Sequence, residues 1–304
     1  MLAVLAAAVL FGTTGTAQAL GPDAATPLSV GMARLVVGGT GLAAVAIIAA
    51  LLRRRASGPQ VRRPGRDYAF AVLTAVAFVA YQPLFFLGTA RNGVAVGTVI
   101  ALGSAPVLAG LLEWIVRRRT PRASWVGATA IATTGVALLA FGGETQATSG
   151  TDPLGLLGSI GAGASFAVFA VAQRRLLDAG WNPFTVAGWM GGGAALIALP
   201  LLATTDTSWT VRADGVAMAL WLGLAATTLA YALFTWGLQG LPAATAATLA
   251  LAEPLTASVL GIAILGERLT PLAIGGLVVL AIGLAVLAWS ARPPRDPAPF
   301  VAEG

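Results

Sequence analysis

Residues 241–287 read LPAATAATLALAEPLTASVLGIAILGERLTPLAIGGLVVLAIGLAVL. They hold the apolar run 242–265 and most of the run 271–290, on either side of a short turn that carries Glu267 and Arg268. A helix needs about 20 apolar residues to cross a bilayer, and both runs have that length. Neither run alternates with a period of two residues, so membrane-spanning strands are not expected.

Eight further apolar runs precede this stretch, and together they predict a membrane protein. Hydrophobic residues make up 57% of the 304-residue chain, charged residues only 10%, and the mean hydropathy is +0.85. Soluble domains carry about 25% charged residues, which cover a water-facing surface. We therefore predict an all-α integral membrane protein with ten transmembrane helices. The eight runs are 2–20, 27–52, 68–90, 93–116, 124–141, 154–174, 183–203 and 215–238.

The first run also has some features of a cleaved signal peptide. It ends in Ala17-Gln18-Ala19, which resembles a signal-peptidase site. However, no basic region precedes the apolar stretch, as signal peptides require. We therefore expect this run to remain in the protein as the first span.

The orientation is predicted from the arginines, which are the only basic residues because the chain has no lysine. With ten spans, 14 arginines fall on the side of the N-terminus and three on the other side, and Arg34 lies within a span. Cytoplasmic loops carry the excess of basic residues, so both termini are expected in the cytoplasm, with the protein in the cytoplasmic (inner) membrane. The 14 are Arg53, Arg54, Arg55, Arg62, Arg63, Arg66, Arg117, Arg118, Arg119, Arg122, Arg174, Arg175, Arg292 and Arg295; the three are Arg91, Arg212 and Arg268.

The two halves of the sequence correspond to each other. A shift of 148 residues sets Pro106 beside Pro254, Gly127 beside Gly275 and Gly135 beside Gly283. At the front of each half, Ala17-Gln18 matches Ala172-Gln173, and Pro27 matches Pro183. A repeat of five spans reverses its orientation in the membrane, so we predict two inverted five-helix repeats, an arrangement typical of secondary transporters. The predicted boundaries are 1–141 for the first repeat, 142–153 for a linker, 154–290 for the second repeat and 291–304 for a disordered cytoplasmic tail.

The motif in 241–287 resembles the EamA-type members of the drug/metabolite transporter superfamily. The similarity lies in the mid-helix Glu253-Pro254, the turn 265–270 and the glycine-rich last helix, with Met32-Ala33-Arg34 as a weaker match. The first half departs from the motif, since Arg119 stands opposite Glu267 and Ala105 opposite Glu253. The resemblance implies alternating access without ATP, through a cavity formed by helices 1–4 and 6–9 with helices 5 and 10 peripheral. It also implies small metabolites, amino acids or drugs as substrates, usually moving outward.

Glu253 is the first candidate for a substrate-binding or coupling residue. It falls near the middle of its span, where a carboxylate is costly and usually faces a cavity or a partner. Packing through a hydrogen bond to another helix is the alternative. Pro254 follows it and Pro106 matches it, so both are candidate hinges or static kinks.

Four further polar or aromatic residues and one arginine are candidates for the cavity wall. Tyr81 and Gln82 offer hydrogen-bonding groups, and Tyr231 and Trp236 offer rings for stacking. Arg34 can bind a carboxylate bidentately, extend outward to the interface, or pair with Glu267. Interhelical packing is the alternative for each of the others.

The predicted function is a secondary transporter that exports small organic metabolites, amino acids or drug-like compounds, with protons as a candidate coupling ion. An uncoupled facilitator and a membrane enzyme acting on lipid-linked substrates remain open. Without His and Cys the common catalytic and metal-binding side chains are missing, so no cofactor is predicted. The expected partners are the lipid bilayer and a small solute but no nucleic acid; a homodimer remains open.

Overall fold

The computed structural model describes residues 1–54, 64–118, 120–142 and 152–290, and within them the chain forms ten long helices. Each helix is long and apolar enough to cross a bilayer, which confirms the predicted all-α membrane fold. The predicted ends lie within a few residues of the observed ones. The predicted tail, 291–304, and most of the predicted linker lie outside the described residues. The helices are α1 Leu2–Ala19, α2 Pro27–Arg54, α3 Gly65–Asn92, α4 Val94–Arg117, α5 Ala123–Phe141, α6 Pro153–Asp178, α7 Pro183–Leu202, α8 Ala213–Leu238, α9 Ala243–Leu265 and α10 Pro271–Ser290.

Helix α8 changes its winding in the middle of the bilayer. It is α-helical over Ala213–Leu220 and again over Ala230–Leu238, and it forms a π-helix over Trp221–Leu229 between them. The hydroxyl of Thr227 donates to a carbonyl five residues earlier, that of Leu222, at 2.8 Å. Wider turns of this kind are rare and frequently mark functional sites.

Helix α9 is divided into two segments, Ala243–Ala250 and Ala252–Leu265. The division falls at Leu251, whose backbone N–H bonds to the carbonyl of Thr248 in a tight final turn. Pro254 has no N–H, so it cannot satisfy the carbonyl of Ala250 as an ordinary residue would. The sequence therefore creates a helix N-terminus inside the membrane.

The packing of the helices has the symmetry that an inverted repeat predicts. Helix α2 packs on α7 and α5 packs on α10, while α1 lies against α8 and α9 as α6 lies against α3 and α4. If the two halves are exchanged, the α2–α7 and α5–α10 contacts are unchanged. The contacts of α1 with α8 and α9 then become those of α6 with α3 and α4. The α5–α10 interface shows this at single residues: a Cβ on Gly135 would lie 2.3 Å from the nitrogen of Leu280, and one on Gly283 would lie 2.5 Å from that of Ala132. The shift of 148 residues exchanges these two contacts.

The ends of the helices define two sides of the bundle. Because successive spans reverse direction, α1 begins and α10 ends on one side, here called the N-terminal side, and α1 ends on the opposite side. The outer surface between them is apolar, with Leu196 76% and Val259 60% exposed. Such a surface suits lipid and would be unfavourable in water.

Candidate functional site

A cavity of about 500 Å³ lies between the two halves of the chain. Its walls come from α1, α2, α3, α4, α6, α8 and α9. Near the middle of the bundle it is bounded by Phe11 and Leu251, and its lining continues to Gln18, Pro27 and Val94 at the ends of their spans. These last three residues lie on the opposite side, so the cavity opens there.

Helix α7 does not line the cavity, although the family resemblance implied that it would. It packs behind α2 instead, where a Cβ on Gly191 would lie 2.6 Å from the Cβ of Leu42. The small residue lets the two helices approach closely, so α2 stands between α7 and the cavity. Helices α5 and α10 are also absent from the walls, as the resemblance implied.

Glu253 lies in the cavity, in the first turn of the second segment of α9. The N-terminus of a helix carries partial positive charge, which favours a carboxylate at this position. Within the described part of the chain, no backbone or side-chain group hydrogen-bonds this carboxylate. The same residues contain no group of three or more acidic side chains that could hold a metal ion.

Arg34 extends from α2 into the same cavity and is anchored on the π-helical part of α8. Its Nε donates to the hydroxyl of Thr227 at 3.3 Å, and one terminal nitrogen donates to the carbonyl of Ala226 at 3.5 Å. The predicted alternatives, outward extension and a pair with Glu267, differ from this arrangement. Glu267, in the turn after α9, folds back against α9, where a Cβ on Gly261 would lie 2.2 Å from the Glu267 carboxylate.

Tyr81, Gln82 and Tyr231 also line the cavity. The ring of Tyr81 stacks on Phe85 with centroids 5.8 Å apart, which holds it against the wall. No group in the described ranges hydrogen-bonds either phenol or the amide of Gln82. The cavity therefore presents several polar groups to a solute within an otherwise apolar wall.

Trp236 is not part of this cavity, which corrects the prediction that it joins Tyr231 there. Its side chain is 53% exposed on the lipid-facing surface, whereas that of Tyr231 is 7% exposed. Five residues separate the two, and five residues rotate an α-helix by about 140° beyond a full turn. They therefore point to different faces of α8.

The two candidate hinge prolines have different effects on their helices. Helix α4 stays continuous through Pro106, whereas α9 is divided three residues before Pro254. The neighbours of both prolines line the cavity: Ala105 on α4 and Glu253 on α9. The matched prolines thus lie in one continuous helix and one broken helix.

A cluster of aromatic rings, which was not predicted from the sequence, closes the cavity toward the N-terminal side. Phe78 contacts Tyr231 at a centroid distance of 4.5 Å and Phe169 at 5.7 Å. Phe166 and Phe234 extend the cluster, with centroids 5.9 Å apart. The spacing of Phe166 and Phe169 on one face of α6 was the available signal.

A second closure lies beyond the aromatic cluster, at the connection between α8 and α9. One terminal nitrogen of Arg174 donates to the carbonyls of Leu238 at 2.6 Å and Leu241 at 3.0 Å. From the other flank, the carboxylate of Glu113 accepts the N–H of Ala244 at 3.1 Å, in the first turn of α9.

Comparison with known proteins places this architecture in a family. A model described as the EamA-like transporter family matches residues 1–141 and 153–289. The chain belongs to the EamA-like transporter family. This membership confirms the resemblance inferred from 241–287, and the two matched segments cover both halves of the bundle.

Two curated relatives and one solved structure extend the comparison. The transporter YwfM of Bacillus subtilis, named as uncharacterized, is 42% identical over 97% of this chain and 95% of its own length. The threonine/homoserine exporter RhtA of Escherichia coli is 36% identical over 45% of this chain and 47% of its own length. A crystal structure with 22% identity covers 96% of both chains with a TM-score of 0.76, which supports the same fold.

Proposed function

We propose that this EamA-family protein is a secondary transporter that exports a small zwitterionic solute by alternating access. The observation that carries the proposal is the cavity of about 500 Å³ that brings Arg34 and Glu253 together between the two halves. Charged groups inside a membrane are expensive, and they are kept where a solute or an ion needs them. Repeat interfaces near the midplane are where secondary transporters bind their substrates.

The proposed direction follows from charge and from the open side of the cavity. The N-terminal side carries 14 of the 18 arginines, so we assign it to the cytoplasm. The cavity then faces outward, and both the aromatic cluster and the Arg174 contacts close the cytoplasmic path. This is the conformation from which an exporter releases its solute.

The proposed solute class follows from the chemistry of the walls. A guanidinium binds a carboxylate through paired, charge-assisted hydrogen bonds, and a carboxylate such as that of Glu253 binds an ammonium group. The stacked ring of Tyr81 and the apolar residue Leu102 suit a short side chain between these two charges. The name of the relative RhtA, a threonine/homoserine exporter, agrees with an amino acid as the solute.

Efflux from proteoliposomes tests this proposal. Vesicles that contain the purified protein are loaded with labelled threonine, homoserine or other amino acids, and efflux is recorded with and without a proton gradient. We expect efflux of at least one zwitterionic amino acid above that of protein-free vesicles. If thermal unfolding shows that the protein is folded and no amino acid of the panel leaves the vesicles, the proposal is overturned.

The role of Glu253 is tested in the same vesicles with Glu253→Gln. Removal of the charge should abolish the effect of the proton gradient while leaving the fold intact. Glu267→Gln is the matched control, since Glu267 lies at the turn after α9 and does not line the cavity.

Efflux from the wild type that does not depend on the proton gradient would instead identify an uncoupled facilitator. Chemical analysis of the released solute would reveal an enzyme if the solute were altered.

A further inference from the structure

A buried polar cluster lies on the N-terminal side of the cavity, outside the site described above. Gln173 of α6 is completely buried. Its Oε1 accepts a hydrogen bond from Thr235 of α8 at 2.8 Å, and its Nε2 points at the sulfur of Met190 on α7 at 2.7 Å. A thioether is a weak acceptor, so the amide is poorly compensated for its loss of water.

The repeat relationship gives this cluster counterparts in the other half. Gln173 corresponds to Gln18, because Ala172-Gln173 matches Ala17-Gln18. Met190 corresponds to Arg34, because each lies seven residues after the proline that opens its helix, Pro183 or Pro27.

Thr235 has its counterpart in Phe85 of α3. The dipeptide Ala80-Tyr81 matches Ala230-Tyr231, and Phe85 and Thr235 each lie four residues after the matched tyrosine. The three counterparts of the buried cluster are thus Gln18, Arg34 and Phe85. All three line the open cavity.

From this correspondence we propose that Gln173, Met190 and Thr235 form the solute-facing wall of a second access route, which opens to the N-terminal side when the two halves exchange conformations. The proposal rests on the proposed transport function. It explains why an amide with a poor partner is kept inside the bundle, since the route supplies it with water or solute in the other state. The aromatic cluster and the Arg174 contacts are what must separate to open it.

The second wall differs from the first in charge, and this difference has a consequence for the solute. Where Arg34 offers a guanidinium, Met190 offers a thioether, so no cation faces the solute's carboxylate at that position. Tyr81, Tyr231 and Glu253 line the cavity, and in this proposal they remain in contact with the solute in both states. In the state open to the opposite side, a zwitterion is therefore held by both its carboxylate and its ammonium group. In the state open to the N-terminal side, it is held by its ammonium group.

Because the chain contains no cysteine, single-cysteine variants test the route directly. Gln173→Cys and Thr235→Cys are each treated with a membrane-impermeant maleimide in sealed right-side-out and inside-out vesicles. Ala172→Cys is the matched control, since Ala172 is also buried and its counterpart Ala17 does not line the cavity. Gln18→Cys reports the open cavity. Thermal unfolding excludes a variant that fails to fold.

We expect Gln173→Cys and Thr235→Cys to react from the N-terminal side only. A minor state is populated at about 0.1–10%, so their labelling should be about 10- to 1,000-fold slower than that of Gln18→Cys from the other side. Labelling of Ala172→Cys should be slower still. A second change, Arg174→Gln, removes the charged contacts to the α8–α9 connection and should accelerate labelling of both variants.

The outcomes separate this inference from the transport function. Folded Gln173→Cys and Thr235→Cys variants that stay unlabelled from the N-terminal side, even with Arg174→Gln, would overturn the second route. Labelling from the opposite side would overturn it as well. Efflux measured on the same vesicles reports the proposed function independently, because labelling requires only the conformational change and efflux requires a transported solute.

Discussion

Arg34 on α2 and Thr227 on α8 are joined by a hydrogen bond of 3.3 Å that fixes the cation of the cavity. The hydroxyl of Thr227 is itself held by the carbonyl of Leu222 within the π-helical segment. Gly38 lets α2 approach this point, since a Cβ there would lie 2.4 Å from the side chain of Thr227. The unusual winding of α8 thus holds the guanidinium of Arg34 at the wall of the cavity.

Arg34→Gln should weaken binding of a carboxylate-bearing solute. Hydrogen bonds to charged groups contribute about 1.5–3 kcal/mol, so the Kd should rise about 10- to 150-fold. Titration of the purified protein by thermal shift measures this, because a ligand that binds only the folded state raises the unfolding temperature. Thr227→Val should have a smaller effect, since it removes the anchor and leaves the cation. Equal binding of the solute by the wild type and Arg34→Gln would exclude the contact.

Pro254→Ala should slow transport and stabilise the protein. The substitution restores an N–H that can bond the carbonyl of Ala250, and this favours a continuous α9. A stabilisation of about 1.4 kcal/mol of the observed state would slow exchange roughly tenfold. Efflux rate and unfolding temperature are the measurements.

Pro106→Ala is the matched control for this change, since α4 is continuous through Pro106. We expect it to alter the efflux rate less than Pro254→Ala does. Equal effects of the two substitutions would mean that the break in α9 has no special role in the conformational change.

The sequence predicted the helices well because their signal is local. Each span is a run of apolar residues with polar ends, and lipid forces the backbone of such a run into a helix. The shift of 148 residues also matched Gly135 with Gly283, and the structure places both glycines in the α5–α10 interface, a contact that was not predicted. Two helix backbones can touch only where the residues between them are small. Glycine at positions such as Gly135 and Gly283 therefore indicates a helix–helix contact.

The candidate site was predicted less completely, since it depends on how helices are rotated and interrupted. Glu253 and Arg34 could be selected because charge within a span is rare. The residue type of Trp236 suggests a cavity wall, but its angle around α8 places it on the lipid-facing surface. The bond from Glu113 to the N–H of Ala244 joins residues 131 positions apart, and no local pattern in the sequence encodes it.

Gly135→Ala and Gly283→Ala should each destabilise the protein. The added methyl groups would press on the backbones of Leu280 and Ala132, which cannot turn aside as a flexible side chain can. Such overpacking costs about 1–3 kcal/mol, and thermal unfolding in detergent measures the loss. Gly127→Ala and Gly275→Ala are the matched controls on the same two helices, since a Cβ at either position meets no atom within 4 Å. A loss of stability in these controls as large as in Gly135→Ala would point to helix flexibility instead.

Asp152 should make stability depend on pH at the opposite side of the bundle. Its carboxylate caps α6 by accepting the N–H groups of Leu154 and Gly155, and it pairs with Arg91 at 3.1 Å. The N–H of Gly155 foremost, and then Arg91, hold the pKa of this carboxyl below its usual range. A lowered pKa in the folded state means that the stabilisation is present above the ordinary pKa of about 3.9 and is lost as pH falls through the lowered value.

We therefore expect Asp152→Ala to lower the unfolding temperature at neutral pH, with the difference from the wild type shrinking as pH falls from about 5 toward 2. Asp152→Asn keeps an oxygen that can cap the helix but carries no charge, so it should retain part of the stability and lose this pH dependence. Unfolding temperatures of the three proteins across this range are the measurement. A difference between the wild type and Asp152→Asn that stays constant down to pH 2 would show that the charge of Asp152 does not contribute.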